Sequence, residues 1–295
     1  MKLSDVNWTI AITFVCVHAL VVFGLVTVGL KLEYFWWFAG TLCIRWLGFT
    51  CAVHRYFSHR VCRTSRIFQF VLAIWGTLTM ARSPIKFASG HRHHHLHSDR
   101  RRDLHSPRHG IFMAYLGWVI SKKYDERKLG LVGDLLRFPE LRWINRLYFL
   151  PNLLVLAPLY VVGGLPAVVY GGGLSIIGVW HLAFSVTVLF HRVGSTRYET
   201  YDQSRNSNML GFLTFGEGWH NNHHANMASA KIGHEWYQID LGYLVLRFFE
   251  SVGLVWDLNK SVGQKILLPN ERRAKAEIER GADSESTAAV RTAVG

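Results

Sequence analysis

The chain has 295 residues, half of them apolar, and a formal net charge of +13. In a soluble protein that charge would point to nucleic acid, but here the apolar residues gather into runs too long for a soluble core. Of the 33 Lys and Arg, 18 lie between Val53 and Leu147 and 12 after Phe190. They border the apolar runs as the positive-inside rule expects, so no nucleic-acid partner is predicted.

Trp8 to Leu30 is 23 residues without Asp, Glu, Lys or Arg, and a bilayer crossing needs roughly 20. The run exceeds the ~7–15 apolar residues of a signal peptide, and no small-residue cleavage site precedes a mature domain. A second span is predicted over 34–53, charged only at Arg45 and opening on an interfacial belt of Tyr34, Trp36 and Trp37. Ile67 to Met80 is uncharged but short, which suits a buried or interfacial helix, and Pro84 is expected to break it. Residues 121–146 read as cytosolic helices. Leu147 to Phe190 is 44 residues without a charged side chain, long enough for two spans, 147–163 and 172–190. Glycines at 163–164 and 171–173 bracket the turn between them. Leu241, Leu244, Val245, Phe248, Phe249 and Val252 form one apolar helical face, suited to the membrane surface or to other cytosolic helices.

The expected fold is all-α and integral to the membrane: four transmembrane helices with a cytosolic helical cap holding a histidine-ligated dimetal site. One domain covers 1–268 (spans about 8–30, 34–53, 147–163 and 172–190) and a disordered polar tail covers 269–295. With four spans both basic blocks and both termini fall on the cytosolic face. A bacterial inner membrane is the preferred expectation over an endoplasmic reticulum. Cys16, Cys43, Cys51 and Cys62 make no C-x-x-C pair, so neither a disulfide framework nor a zinc finger is predicted.

The 16 histidines are clustered. HRYFSH at 54–59 supplies His54 and His59. HRHHH at 91–95 supplies His91, His94 and His95, and HNNHH at 220–224 supplies His220, His223 and His224. In the two His-x-x-His-His boxes, positions i, i+3 and i+4 share one helical face and can serve one metal or two. Five residues of α-helix, by contrast, leave His54 and His59 about 140° apart. Either that span unwinds at its cytosolic end or the two serve different metals. Eight imidazoles are too many for one four-coordinate ion and suit two, although imidazole alone does not choose between zinc, copper, iron and nickel. Metal-bound imidazoles donate their second N–H to a carboxylate or carbonyl. Asp99, Asp103, Glu199, Asp202 and Glu217 are the nearby candidates. His18 is read as a helix–helix hydrogen-bonding group and His181 as structural. His93, His97, His105, His109 and His234 are read as flanking or surface residues.

Over about residues 34–258 the chain resembles the membrane fatty-acid desaturases, in the stearoyl-CoA (delta-9) branch. HRYFSH, HRHHHLHSD and GEGWHNNHH match that family's three boxes in type, order and approximate spacing. DLHSPRHG at 103–110, LGW at 116–118, RYETYDQSRN at 197–206 and the segment 236–258 match the text between and after them. The resemblance implies a ninth metal-binding histidine, His191, in an Asn-Ser-x-x-His-x-x-Gly motif whose asparagine is Thr187 here. It makes Thr187, holding a water, and Asp99 and Glu217 the groups around the ligands. It further implies two irons, O₂ as co-substrate and no haem or flavin in the chain. The substrate would be a long acyl chain, as its CoA ester. A separate electron donor is implied: a ferredoxin, a rubredoxin or a b-type cytochrome, with a reductase. The chain departs from the family's pattern at Ala81, Lys86, Phe87 and Tyr115. No substrate-binding residue is assigned.

A related diiron lipid hydroxylase or ketolase could use the same boxes. A membrane metal transporter or zinc hydrolase is the alternative of another class, but an ion path places its polar residues across span centres, not in cytosolic segments.

Overall fold

The computed structural model describes residues 1–125 and 129–262. The tail expected over 269–295, and the last residues of the expected 1–268 domain, lie outside them. Among the described residues the regular structure is helical apart from one small antiparallel ladder, β1 (Arg63–Thr64) against β2 (Val255–Trp256), and three isolated β-bridges.

Helix α1 (Trp8–Val28) is capped by Asn7, whose side chain accepts from Ile10 N at 3.3 Å. Only Val21 and Gly24 of its residues are buried, so most of its apolar surface faces outward. Helix α2 (Phe35–Leu47) runs directly into a π-helical segment, Gly48–Ser58, every residue of which is buried. Arg45 is buried too. It donates to Ser175 Oγ at 2.9 Å, to Asn152 Oδ1 at 2.6 Å and to the Leu78 carbonyl, so the one cation of this apolar stretch is satisfied inside the bundle.

Helix α3 (Arg66–Thr77) fills the uncharged stretch, with Ser65 as its cap. Pro84 does not break it. The helix has already ended, and Pro84 opens α4 (Pro84–His97) as its first residue, where a missing N–H leaves no bond unmade. A short π segment, Met113–Gly117, follows. The stretch 121–146 is helical at Lys122–Asp125, Gly133–Leu136 and α5 (Pro139–Arg146).

The long apolar run forms α6 (Leu150–Pro166), a π segment (Ala167–Leu174) and α7 (Ser175–Leu189). The chain reverses at Gly164, whose φ of 62° and ψ of −156° are open to glycine and few others. The expected turn is therefore shorter than 164–171. Gly171 to Gly173 belong to the returning helix, where a Cβ on Gly172 would lie 2.7 Å from Leu156 Cδ2; these glycines permit close packing on α6. Among the described residues, two helices are by length and composition fit to cross a membrane, Trp8–Val28 and the bent 40-residue run Leu150–Leu189.

Helices α8 (Asn208–Leu213), α9 (His220–Ala225) and α10 (Leu241–Ser251) complete the chain. The apolar face expected on α10 divides. The Phe249 ring meets Phe68 and Trp75 with centroids 5.2 and 6.1 Å apart, while Leu244 and Phe248 are exposed. One core gathers Phe57, Leu72, Ile85, Leu135 and Leu246 beneath the histidine boxes. A second gathers Trp46, Phe49, Phe87, Trp118, Trp180 and Phe184. Each such side chain contributes roughly 1.5–3 kcal/mol by burial, and together they fix the helices that carry the boxes.

Candidate metal centre

The nine histidines singled out above gather into two clusters. His54, His59, His91, His95 and His223 form one, and His94, His191, His220 and His224 the other; within each, the candidate ligand atoms lie within 4.8 Å of one another. Each His-x-x-His-His box is shared between the two. Its i and i+4 members (His91 and His95; His220 and His224) go to one cluster and the i+3 member to the other. The clusters adjoin, with the His95 and His224 ring centroids 4.4 Å apart.

The π segment answers the question raised by HRYFSH. A π turn closes in roughly 4.4 residues, so five residues overshoot it by about 50° instead of the 140° of an α-helix. His54 and His59 accordingly belong to one cluster, with ring centroids 5.0 Å apart.

In the five-histidine cluster the Nε2 atoms form an unbroken series: His54 to His223 at 3.1 Å, His223 to His95 at 3.0 Å, His95 to His91 at 3.0 Å and His91 to His59 at 2.8 Å. For nitrogens about 2.1 Å from a metal, adjacent corners of an octahedron stand about 3.0 Å apart. The spacing is compatible with a ligand shell. In the second cluster His191 and His220 Nε2 are 3.2 Å apart, and the buried Nε2 of His224 has no hydrogen-bond partner. A buried lone pair without a donor is a group that a metal ion satisfies.

Four carboxylates sit on the far nitrogens. Nδ1 of His54 lies 2.6 Å from Glu217 Oε2, that of His94 2.9 Å from Asp103, that of His191 2.7 Å from Asp99 and that of His224 2.6 Å from Asp202. For His94, His191 and His224 the contact is a hydrogen bond, which holds the proton on Nδ1 and turns Nε2 toward the cluster. Burial pushes the Asp99 carboxyl up, but His191, Gln203 N and Ser106 outweigh it and hold it at about 2. Asp103, Asp202 and Glu217, similarly buried, are held below the usual carboxylate range by their histidines. Burial and then neighbouring imidazoles push His59, His91, His95, His220 and His223 well below the ordinary histidine range, so these rings are neutral and their lone pairs free at neutral pH. Burial depresses His94 too, but Asp103 reverses the shift and raises it. Burial keeps His224 below its usual value despite Asp202.

Glu199, the fifth carboxylate candidate, is exposed and belongs to neither cluster. Thr187 sits on α7, four residues before His191. Its hydroxyl bonds the carbonyls of Ala114 and, at 2.9 Å, Phe184. His18 and His181 meet between α1 and α7 with Nε2 atoms 3.2 Å apart, as read from the sequence, and Tyr115 joins them through its hydroxyl, 2.6 Å from His181 Nδ1. The His105 ring lies tilted against His94 with centroids 4.3 Å apart, and His234 meets Tyr198 Oη at 2.9 Å; neither enters the two histidine clusters, although His105 forms a smaller candidate group with His94 and Asp103.

A cavity adjoins the clusters. Phe14, Phe49, Phe87, Trp118, Trp180 and Phe184 line it together with His54, His91, His94, His191 and His220. The Phe87 ring stacks on His91 with centroids 5.5 Å apart. Of these wall residues the sequence singled out Phe87 alone, as a departure from the family's pattern. Their signal is aromatic side chains near the boxes, which is also what an ordinary core provides.

The residues 33–257 match the family model described as fatty acid desaturase. The chain is 35% identical over 212 residues to an icosanoyl-CoA 5-desaturase of Limnanthes douglasii, which covers 70% of this chain and 60% of that protein. It is 36% identical over 215 residues to delta-9 acyl-lipid desaturase 1 of Arabidopsis thaliana, 72% of this chain and 70% of that one. It is 30% identical over 258 residues to an sn-1 stearoyl-lipid 9-desaturase of Anabaena variabilis, 85% and 93% respectively. The chain thus spans 60% of the length of the Limnanthes relative and nearly all of the Anabaena one. Three histidine boxes folded into two clusters, with a family match across most of the sequence, lead to one conclusion: this chain belongs to the fatty acid desaturase family.

Proposed function

We propose that the chain is an O₂-dependent diiron desaturase that places a cis double bond at the delta-9 position of a long saturated acyl chain. One observation carries the reading: two adjoining histidine clusters line an aromatic-walled cavity. The ester expected from the sequence is acyl-CoA. The Anabaena relative, matched over nearly its whole length, favours a glycerolipid ester instead, and we adopt the lipid-linked form.

His54, His59, His91, His95 and His223 would hold one iron, and His94, His191, His220 and His224 the other. Bound iron supplies the oxidising power, drawn from O₂ and two electrons, that an unactivated C–H bond requires. The rest falls to the chain's own residues. The aromatic walls exclude water and align one C–C bond of the acyl chain with the clusters. Asp103, Asp99 and Asp202 keep their imidazoles in the Nδ1–H tautomer. The electrons come from a separate ferredoxin, rubredoxin or b-type cytochrome with its reductase.

In this reading α1, α2 with the first part of its π extension (to about residue 53), α6 and α7 are the four spans. Both termini and the histidine boxes face the cytosol of a bacterial inner membrane. Expression in a host lacking unsaturated fatty acids tests the activity. The expected product is a delta-9 monoene in the glycerolipids, by loss of two hydrogens. Gain of one oxygen would mark a hydroxylase instead, and unchanged lipids from an iron-loaded protein supplied with electrons would sink the proposal.

A further inference from the structure

Arg92 lies inside the second histidine box, between His91 and His93, and all five of its N–H donors are engaged. Nε donates to the Ser58 carbonyl at 2.8 Å and Nη2 to the Phe57 carbonyl at 2.8 Å. Nη1 donates to the Leu131 carbonyl at 2.7 Å. The two remaining donors take Asp134, Nη1 to Oδ1 at 2.7 Å and Nη2 to Oδ2 at 3.1 Å. A planar guanidinium suits this fork of acceptors, whereas a lysine ammonium is a point charge with three donors.

The two carbonyls matter because of where they stand. Phe57 and Ser58 end the π segment Gly48–Ser58, and His59 is the next residue. A helix leaves its last carbonyls without partners. Here Val61 N takes the Arg55 carbonyl at 3.3 Å and Arg60 N takes that of Tyr56 at 3.0 Å. The last two fall to Arg92. Within the segment, Ser58 Oγ reaches back five residues to the Val53 carbonyl at 2.8 Å, a bond that spans one π turn. The π register is what places His59 on the same side as His54; relaxed to an α register, His59 would swing by roughly 90°.

We infer that Arg92 is a positioning residue: by capping the Phe57 and Ser58 carbonyls it locks the π register of the first histidine box and keeps His59 in the five-histidine cluster. It touches neither substrate nor metal. Its contact with His59 runs through the backbone, and its hydrogen bonds go to Phe57, Ser58, Leu131 and Asp134, none of them in the four-histidine cluster. The inference rests on the diiron reading above.

The test compares the wild type with Arg92→Met, Arg92→Lys, Asp134→Asn and His59→Ala. Each is purified in detergent, loaded with ferrous iron and assayed for iron per chain and for its Mössbauer spectrum. The wild type is expected to hold two irons. Arg92→Met should match His59→Ala, with one iron and the same residual spectrum, and Arg92→Lys should fall between. Asp134→Asn leaves both carbonyl bonds in place and should keep two. The inference is overturned if Arg92→Met holds two irons with the wild-type spectrum. It is equally overturned if that variant loses both irons together with its cooperative thermal transition, since Arg92 would then be a general structural residue. A wild-type chain with fewer than two irons removes the diiron reading itself, and this inference with it.

Discussion

Asp202 Oδ2 lies 2.6 Å from His224 Nδ1, and the opposite nitrogen of that ring is buried without a hydrogen-bond partner. The carboxylate therefore fixes which nitrogen carries the proton and which is left for a metal. Asp202→Asn keeps the shape but removes the charge that makes the imidazole a stronger ligand. Loss of such a partner typically weakens metal binding by about 10–100-fold. Chelator competition should show that loss in one of two iron equivalents. Equal affinity in wild type and variant would mean that Asp202 only packs the site.

Burial and mutual repulsion give the metal-free clusters a defined pH dependence. Unfolded, His59, His91, His95, His220 and His223 take up protons near pH 6.5; folded, they are held well below that range. Below about pH 6.5 the unfolded chain thus binds more protons, and stability falls as pH falls. The carboxylates act later. Asp99 contributes fully above its unfolded value near 4, and its contribution is lost as pH drops toward its folded value of about 2. Thermal unfolding of metal-stripped protein should be nearly flat above neutrality. By about pH 5.5 Tm should have dropped by on the order of 5–10 °C. A level profile across that range would contradict the assignment of neutral, buried rings.

Much of this site is legible in the sequence, for a reason particular to its geometry. His-x-x-His-His puts three side chains on one α-helical face whatever the surroundings, so both such boxes are visible as candidate ligands. The division of each box between two clusters is not visible, because it depends on where His59 and His191 arrive from elsewhere in the chain. His54 and His59 converge only in the π register, and no local residue pattern announces that register. Among the carboxylates, sequence proximity brings in Glu199 beside Asp202, although only Asp202 turns inward. Arg92 is hidden for the opposite reason: it sits among histidines as a charged residue on a polar helix, and its partners lie 34 and 42 residues away. The reversal at Gly164 could be placed only within a few residues, since the glycines at 171–173 serve helix packing equally well.

Ala183 lines the cavity from α7 next to Phe184 and is buried. Its methyl group faces the space that the acyl chain would fill. Ala183→Leu adds three carbons there, and an overfilled apolar site costs about 1–3 kcal/mol. The expected result is a preference shifted toward shorter acyl chains by roughly 10-fold or more, with iron content unchanged. Profiling the monoenes formed from a mixture of saturated chains reads this directly. An unaltered product distribution would show that the substrate does not occupy this cavity.

Thr187 lies on α7, four residues before His191, which follows the end of that helix, and its hydroxyl already bonds the Ala114 and Phe184 carbonyls. A hydroxyl has one proton, so its remaining capacity is as an acceptor. An amide at the same place could donate to the Ala114 carbonyl through Nδ2 and still present Oδ1, farther from the backbone, toward a water on the second cluster. Thr187→Asn is therefore expected to tighten iron binding at the four-histidine cluster several-fold without altering the five-histidine one. Thr187→Val removes both the carbonyl bond and the acceptor, leaving the Ala114 carbonyl buried at about 1–3 kcal/mol, and should weaken the same cluster. Chelator titration of the three proteins separates the cases. If asparagine and valine shift the weaker iron equivalent in the same direction, the position acts through packing, and no water links it to the metal.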